Sequence, residues 1–154
     1  MEPIEYMQLA LKLAVQAAAR DEVPIGCLIV NPETSEILAE TGNLSQHGED
    51  ATAHAEIKAI QQACRKTGSN RLRGMDMYVT LEPCTMCAAA ISFARIENLY
   101  FGATDPKGGA VISGVRFYEQ PTCHHRPRVH NGLMAEECGQ IRKDFFKQKR
   151  KEAK

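Results

Sequence analysis

Between Ile4 and Arg20, apolar residues recur every three or four positions (Ile4, Met7, Leu11, Val15) and give way to alanines, a period that predicts an opening helix. The runs "GCLIV" (26–30) and "EILAET" (36–41) are too short for that period and predict strands, separated by "NPETS", a turn by composition. Gly42 to Asp50 is polar and predicts a loop. The spacing then predicts a helix from His54 to Thr67, ended by Gly68. "MDMYVTL" (75–81) predicts a strand, Pro83 suits a helix start, and Cys84 to Ala94 continues as helix. "NLYFGA" (98–103) is a further strand, "TDPKGGAVISG" a glycine-rich connection, "RVHNGL" a last short strand, and Glu136 to about Lys149 a last helix. No repeat, low-complexity tract or linker interrupts the series. Strands alternating with helices predict an α/β layered domain. Parallel pairs with helix crossovers would bring strand ends and helix starts to one rim.

The chain has 154 residues, enough for one domain with a proper core and too few for two. Its first residues lack the basic and long apolar regions of a signal peptide, and no apolar run is long enough to span a bilayer; the expected setting is the cytoplasm, with no membrane partner. In that setting the six cysteines are poor candidates for a disulfide framework, and metal binding or burial is the better reading. Cys27 and Cys64 sit in apolar surroundings and read as small core residues. Charge changes the picture at one place. From Arg142 to Lys154, seven Lys/Arg face two Asp/Glu, a net +5 on a chain whose formal net charge is zero. Such a tail is either a solvated helix with cations near its C-terminal dipole or a surface for a polyanion, and charge alone does not choose.

The chemistry concentrates in "TAHAEIKAI" and "TLEPCTMCAAA". Cys84 and Cys87 stand three apart at a predicted helix start, so both thiols share one face, and the helix N-terminus favours the thiolate form that binds metals. His54, at a second predicted helix start, would complete a His/Cys/Cys set. Zinc accepts that mixture, and three protein ligands leave a fourth position for water, a catalytic rather than a structural arrangement. A lone CxxC equally suits a redox pair or half of a structural zinc site, and a lone HxE means little; the pair at two strand-to-helix junctions is what makes the signal specific. One difficulty remains. Residues i and i+2 of a helix point in nearly opposite directions, so helical spacing alone does not bring His54 and Glu56 to one metal.

The H-A-E and P-C-x-x-C pair resembles the signature of the zinc-dependent nucleobase deaminases. The segments "DEVPIGCLIV", "TAHAEIKAI", "YVTLEPCTMCAAAI", "FGATDPKGGA", "NGLMAEEC" and "DFFKQKRK" are similar, in order and over nearly the whole chain, to the tRNA-specific adenosine deaminases of bacteria. The resemblance implies a single deaminase domain over 1–154 with a cytidine-deaminase-like three-layer α/β/α fold, a mixed sheet of about five strands, and a basic C-terminal helix over about 136–151. It implies one Zn2+ per subunit on His54, Cys84 and Cys87, and conversion of adenosine to inosine at the wobble position of tRNA, with arginine tRNA of anticodon ACG as the expected target. Two thiolates offset the charge of zinc and acidify its water less than three imidazoles would, so a nearby base is needed, and Glu56 is the candidate catalytic residue.

The same resemblance places Asn43 and Asp105 against the target nucleotide, although by composition each is equally a turn residue. An enzyme that splays a base from a loop needs backbone-binding charge and apolar walls. Phe145, Phe146, Lys147 and Arg150 are the candidates for contact with a tRNA anticodon stem-loop. One Phe is expected in the core with Ile141 and the other at the substrate. "PTCHHRPRVH" (121–130) reads as an RNA-facing basic loop rather than a second metal site, since adjacent residues rarely satisfy one metal. "AVISGVRFYEQPTCHH" departs from the family pattern. The resemblance also implies a homodimer. The alternative is a deaminase of free guanine, cytosine or nucleosides with the same zinc chemistry, whose tail would cover a small-molecule pocket. A silent RNA-binding subunit on the same scaffold would lack Glu56 or a ligand, and this chain has all four residues.

Overall fold

The computed structural model of the protein describes residues 1–153. Chain order is α1 (Pro3–Ala19), β1 (Gly26–Asn31), β2 (Glu36–Gly42), α2 (Ala55–Thr67), β3 (Asp76–Leu81), α3 (Thr85–Phe93), β4 (Asn98–Ala103), a 3-10 turn (Phe117–Glu119), β5 (Arg128–Asn131) and α4 (Ala135–Glu152). The strands form one sheet in the order β2-β1-β3-β4-β5. β1 is antiparallel to both neighbours, whereas β3–β4 and β4–β5 are parallel. This is the expected mixed five-stranded α/β/α arrangement.

Two cores, one on each face of the sheet, follow from alternation along the strands. Ile29, Met77, Val79, Leu99 and Phe101 face α2 and α3, where Ala59, Ala63, Ala88 and Ile91 meet them. Leu28, Val30 and Tyr78 face the other way, against Tyr6, Met7 and Ala10 of α1 and Cys138 of α4. The alanines of α1 let it lie close on the sheet. At Gly26 the approach is so tight that a Cβ would fall 1.9 Å from the Ala10 carbonyl oxygen. Only glycine fits there.

This topology builds one rim. Leu81 at the end of β3 pairs with Ala103 at the end of β4, so the segments that follow each strand emerge side by side. Because β1 runs antiparallel to β3, its entry (Val23–Ile25) joins them, as do the starts of α2 and α3. β2 pairs antiparallel with β1 along its whole length, so its exit at Asn43 comes back to the same rim. α4 is longer than its pattern predicts and lies over the opening.

Candidate active site

His54 is not in the helix. It is the N-cap of α2, with extended backbone (φ −70°, ψ 154°), and Cys84 caps α3 in the same way (φ −73°, ψ 177°). The extended cap turns the imidazole away from the helical spiral, which removes the i, i+2 difficulty and lets His54 and Glu56 face the same space. His54 Nδ1 lies 3.7 Å from Cys84 Sγ and 3.6 Å from Cys87 Sγ. Among the described residues this is the one group of three or more His/Cys/Asp/Glu side chains whose ligand atoms all lie within 4.8 Å of one another. Tetrahedral zinc with usual bond lengths needs N···S separations of about 3.5 Å. The donor set therefore fits zinc without rearrangement.

Glu56 supplies the second test of that fit. It is buried, and its Oε1 has no hydrogen-bond partner, an uncommon state for a carboxylate oxygen. Burial pushes its carboxyl up to about 7. A hydrogen bond between the thiols separates the pair: Cys84 is pulled down to about 4, helped by His54 and against burial, while Cys87 is pushed far up. A buried oxygen with no protein partner beside three ligand atoms suits a metal-and-water group.

His54, Glu56 and Cys84 line a cavity of 260 Å³ whose walls include Asn43, Asp105, Arg142 and Phe146, and Cys87 lies fully buried behind it. Asn43 is buried, with its amide nitrogen 3.2 Å from Ser45 Oγ. Asp105 is buried too, and its Oδ1 accepts the N–H groups of Lys107 (3.2 Å) and Gly108 (3.1 Å), so the turn reading and the cavity-wall reading are both satisfied.

Along α4 the expectations divide. Phe146 lines the catalytic cavity and both flanking ones, Phe145 only the outer cavity beside Lys149. Both rings are half-buried, so the expectation of one Phe in the core is wrong: α4 lies over the rim and touches the sheet through Cys138 near its start. Arg150 lines the flanking groove, whereas Lys147 is exposed and lines none of the three cavities. Around "PTCHHRPRVH", Cys123 is buried against Ser92 and the His125 carbonyl, and the His125 ring bonds the Ile96 carbonyl. That part of the loop is packed, not presented.

Three buried or half-buried charged residues of this site escape a linear reading. Glu82 accepts five hydrogen bonds, from the N–H groups of Asp105, Val111, Ile112 and Ser113 and from Ser113 Oγ, at 2.9–3.0 Å. Burial works to raise its pKa, but these donors win and hold it below its ordinary value. Gly109 has no side chain because a Cβ would lie 2.4 Å from the Glu82 carboxyl carbon. Glu82 thus ties the cysteine loop to the 105–113 segment. Glu82→Gln, which turns an NH2 toward these donors, is expected to cost about 2 kcal/mol or more, read as a lowered Tm. Glu22, fully buried, does the same for the 43–50 loop, accepting from the N–H groups of Gln46 (3.1 Å) and His47 (2.6 Å) and meeting His47 Nδ1 at 2.6 Å. Burial again opposes these bonds and loses, leaving its pKa below the ordinary 4.5. Its stabilisation is complete above 4.5 and lost as pH falls through the lower folded value. Glu22→Gln should therefore flatten the acid limb of Tm against pH. The third residue is Arg142, in the cavity wall.

A family model described as MafB19-like deaminase matches residues 1–150. The tRNA-specific adenosine deaminase of Agrobacterium fabrum is 56% identical over 149 residues, 97% of either chain. The chain belongs to the tRNA-specific adenosine deaminase family. Among solved structures, one from work on A-to-I editing by tRNA:A34 deaminases at the wobble position of transfer RNA is 58% identical. It covers 89% of this chain and 98% of its own, with a TM-score of 0.86. A guanine deaminase from Nitrosomonas europaea shares the fold at 19% identity (TM-score 0.82, 94% of this chain and 84% of its own). In this deaminase the motif segments quoted from the sequence sit on the rim: "TAHAE" and "EPCTMC" carry the His/Cys/Cys group, and Asp105 and Gly108 of "DPKGG" and Phe146 of "DFF" line the cavity beside it.

Proposed function

We propose that this protein hydrolyses adenosine to inosine at the wobble position of tRNA, arginine tRNA with anticodon ACG being the expected substrate. The observation that carries the reading is the form of the cavity. The His/Cys/Cys group and Glu56 lie at a recess that shares Asp105, Arg142 and Phe146 with a groove carrying four cationic side chains, Lys107, Arg142, Lys143 and Arg150. A free base has no phosphate to occupy such a groove. The activities named for the relatives support the same reading.

One zinc ion held by His54, Cys84 and Cys87 would supply Lewis acidity toward a water molecule, lowering its pKa. Glu56 takes one proton of the attacking water and delivers it to N1 of adenine as the oxygen adds to C6; it then takes the second proton from the new C6 hydroxyl and passes it to the amine, which leaves as ammonia while C6 becomes a carbonyl. Asn43 and Asp105 hold the flipped nucleotide from opposite walls. Phe146 closes the cavity against bulk water, and Arg150 and the other cations of α4 hold the RNA backbone.

We place the enzyme in the cytoplasm as a homodimer of one deaminase domain per chain. Among the described residues no helix is long and apolar enough to cross a membrane. Phe93 at the end of α3 and Ile112 and Val115 beyond β4 are exposed large apolar side chains, which a second subunit would cover. Sedimentation equilibrium reads that state directly.

The deciding experiment gives zinc-loaded enzyme an ACG anticodon stem-loop, with free adenosine, cytidine and guanine in parallel, and follows ammonia and inosine. Inosine at the wobble position alone is the expected result. Ammonia from a free base with the RNA untouched would overturn the tRNA reading and leave the hydrolytic chemistry standing.

A further inference from the structure

Arg142 occupies an unusual position. It lines both the catalytic cavity and the 510 Å³ groove beside it, so it forms part of the wall they share. Its Nε–H is buried and has no hydrogen-bond partner. The carboxylate paired with it, Asp105, lies 3.7 Å from a terminal nitrogen, an ion-pair distance too long for a hydrogen bond. Asp105 itself is fixed, because its other oxygen is taken by the N–H groups of Lys107 and Gly108. On the remaining side the guanidinium carbon sits 5.3 Å from the centre of the Phe146 ring. The group is thus held in place by one carboxylate at ion-pair distance and one aromatic face, neither of which takes a hydrogen bond from it.

We infer that Arg142 binds a backbone phosphate adjoining the target nucleotide, fixing the strand where it passes from the groove into the catalytic cavity. The inference rests on the RNA reading given above and assigns one residue within it. The planar fork of arginine matches phosphate oxygens, and its two flanking supports reduce the freedom lost on binding. The neighbourhood selects for an anion. Arg142, Phe146 and Arg150 share one face of α4 at i, i+4 and i+8, Lys107 and Lys143 flank them, and Asp105 is the one acid among the groove's lining residues.

The test pairs a protein change with a single-atom change in the RNA. Anticodon stem-loops carrying one uncharged methylphosphonate, 5′ or 3′ to the target adenosine, are assayed with zinc-loaded wild type, Arg142→Met and Arg142→Lys. With the unmodified RNA, Arg142→Met is expected to raise KM about 10- to 100-fold with kcat little changed. It should also reduce the slope of log affinity against log salt by about 0.7, one phosphate on a single strand. One of the two methylphosphonates should cost the wild type a similar factor and cost Arg142→Met nothing further. Arg142→Lys should keep the salt slope and recover part of the affinity, which separates lost charge from a lost fold. Equal methylphosphonate penalties in wild type and Arg142→Met at both linkages, with RNA deamination intact, would overturn the assignment of Arg142 alone. A wild type that deaminates only free bases would overturn the RNA reading, and this inference with it.

Discussion

Replacing Glu56 by alanine is expected to leave a folded, zinc-binding protein whose kcat for RNA deamination falls by about a thousandfold or more. Three features set this expectation. The carboxylate stands two residues from His54 on the first turn of α2, and the extended cap before it turns both side chains into one cavity. Burial pushes its pKa to about 7, where a carboxyl can both take and return a proton near neutral pH. Its Oε1 bonds to nothing in the protein, so truncation there breaks no hydrogen bond of that oxygen. A residue kept for stability would show the reverse, many bonds and a lowered pKa, as Glu82 does. Glu56→Gln, nearly the same shape without a transferable proton, should lose as much activity as the alanine variant. Zinc content by elemental analysis and single-turnover inosine formation together check the claim. Full turnover in either variant would remove Glu56 from the chemistry, and loss of zinc would make it a positioning residue for the metal ligands.

The contrast between these two glutamates shows what a linear reading can reach. The convergence of the His/Cys/Cys group was legible because its parts are local: Cys84 and Cys87 share one helix start, and His54 sits at another that strand–helix alternation brings to the same rim. The strands and helices were legible for the same reason, each carrying its own period and its own stop residues. Glu82 was not legible. It stands two residues before Cys84 in plain view, but its five donors come from residues 105–113, and nothing local announces that they converge. Glu22 and Arg142 are the same case, defined by partners more than twenty positions away. The expected core Phe failed for a related reason. The i−4 pairing of Ile141 with Phe145 predicts one face of a helix correctly but does not say that this face covers a rim of cavities. The His54–Glu56 difficulty arose from treating the N-cap as helical, and cap geometry is decided by the chain that enters it.

Removing one thiolate should act on the metal rather than on the proton. Cys87→Ala is expected to abolish stable zinc binding and, with it, turnover, a larger overall loss than that of Glu56→Ala. Only His54 Nδ1 and Cys84 Sγ would remain, and two ligands do not hold zinc against the chelating groups of a cell extract. Cys87 is the fully buried member of the set, so no neighbouring side chain or solvent-borne ligand can take its position without opening α3. The measurement is Tm with and without added zinc. Because metal that binds only the folded chain stabilises it by mass action, wild type stripped with a chelator should melt lower than zinc-loaded wild type, and Cys87→Ala should melt at one temperature in both conditions. Cys123→Ala is the matched control. Its thiol is also buried but bonds Ser92 and the His125 carbonyl and does not line the cavity, so zinc stoichiometry and the zinc-dependent rise in Tm should both survive. If Cys123→Ala lost zinc while Cys87→Ala kept it, the metal would belong to the 121–130 segment. The cavity at the ends of β3 and β4 would then need another source for its activated water.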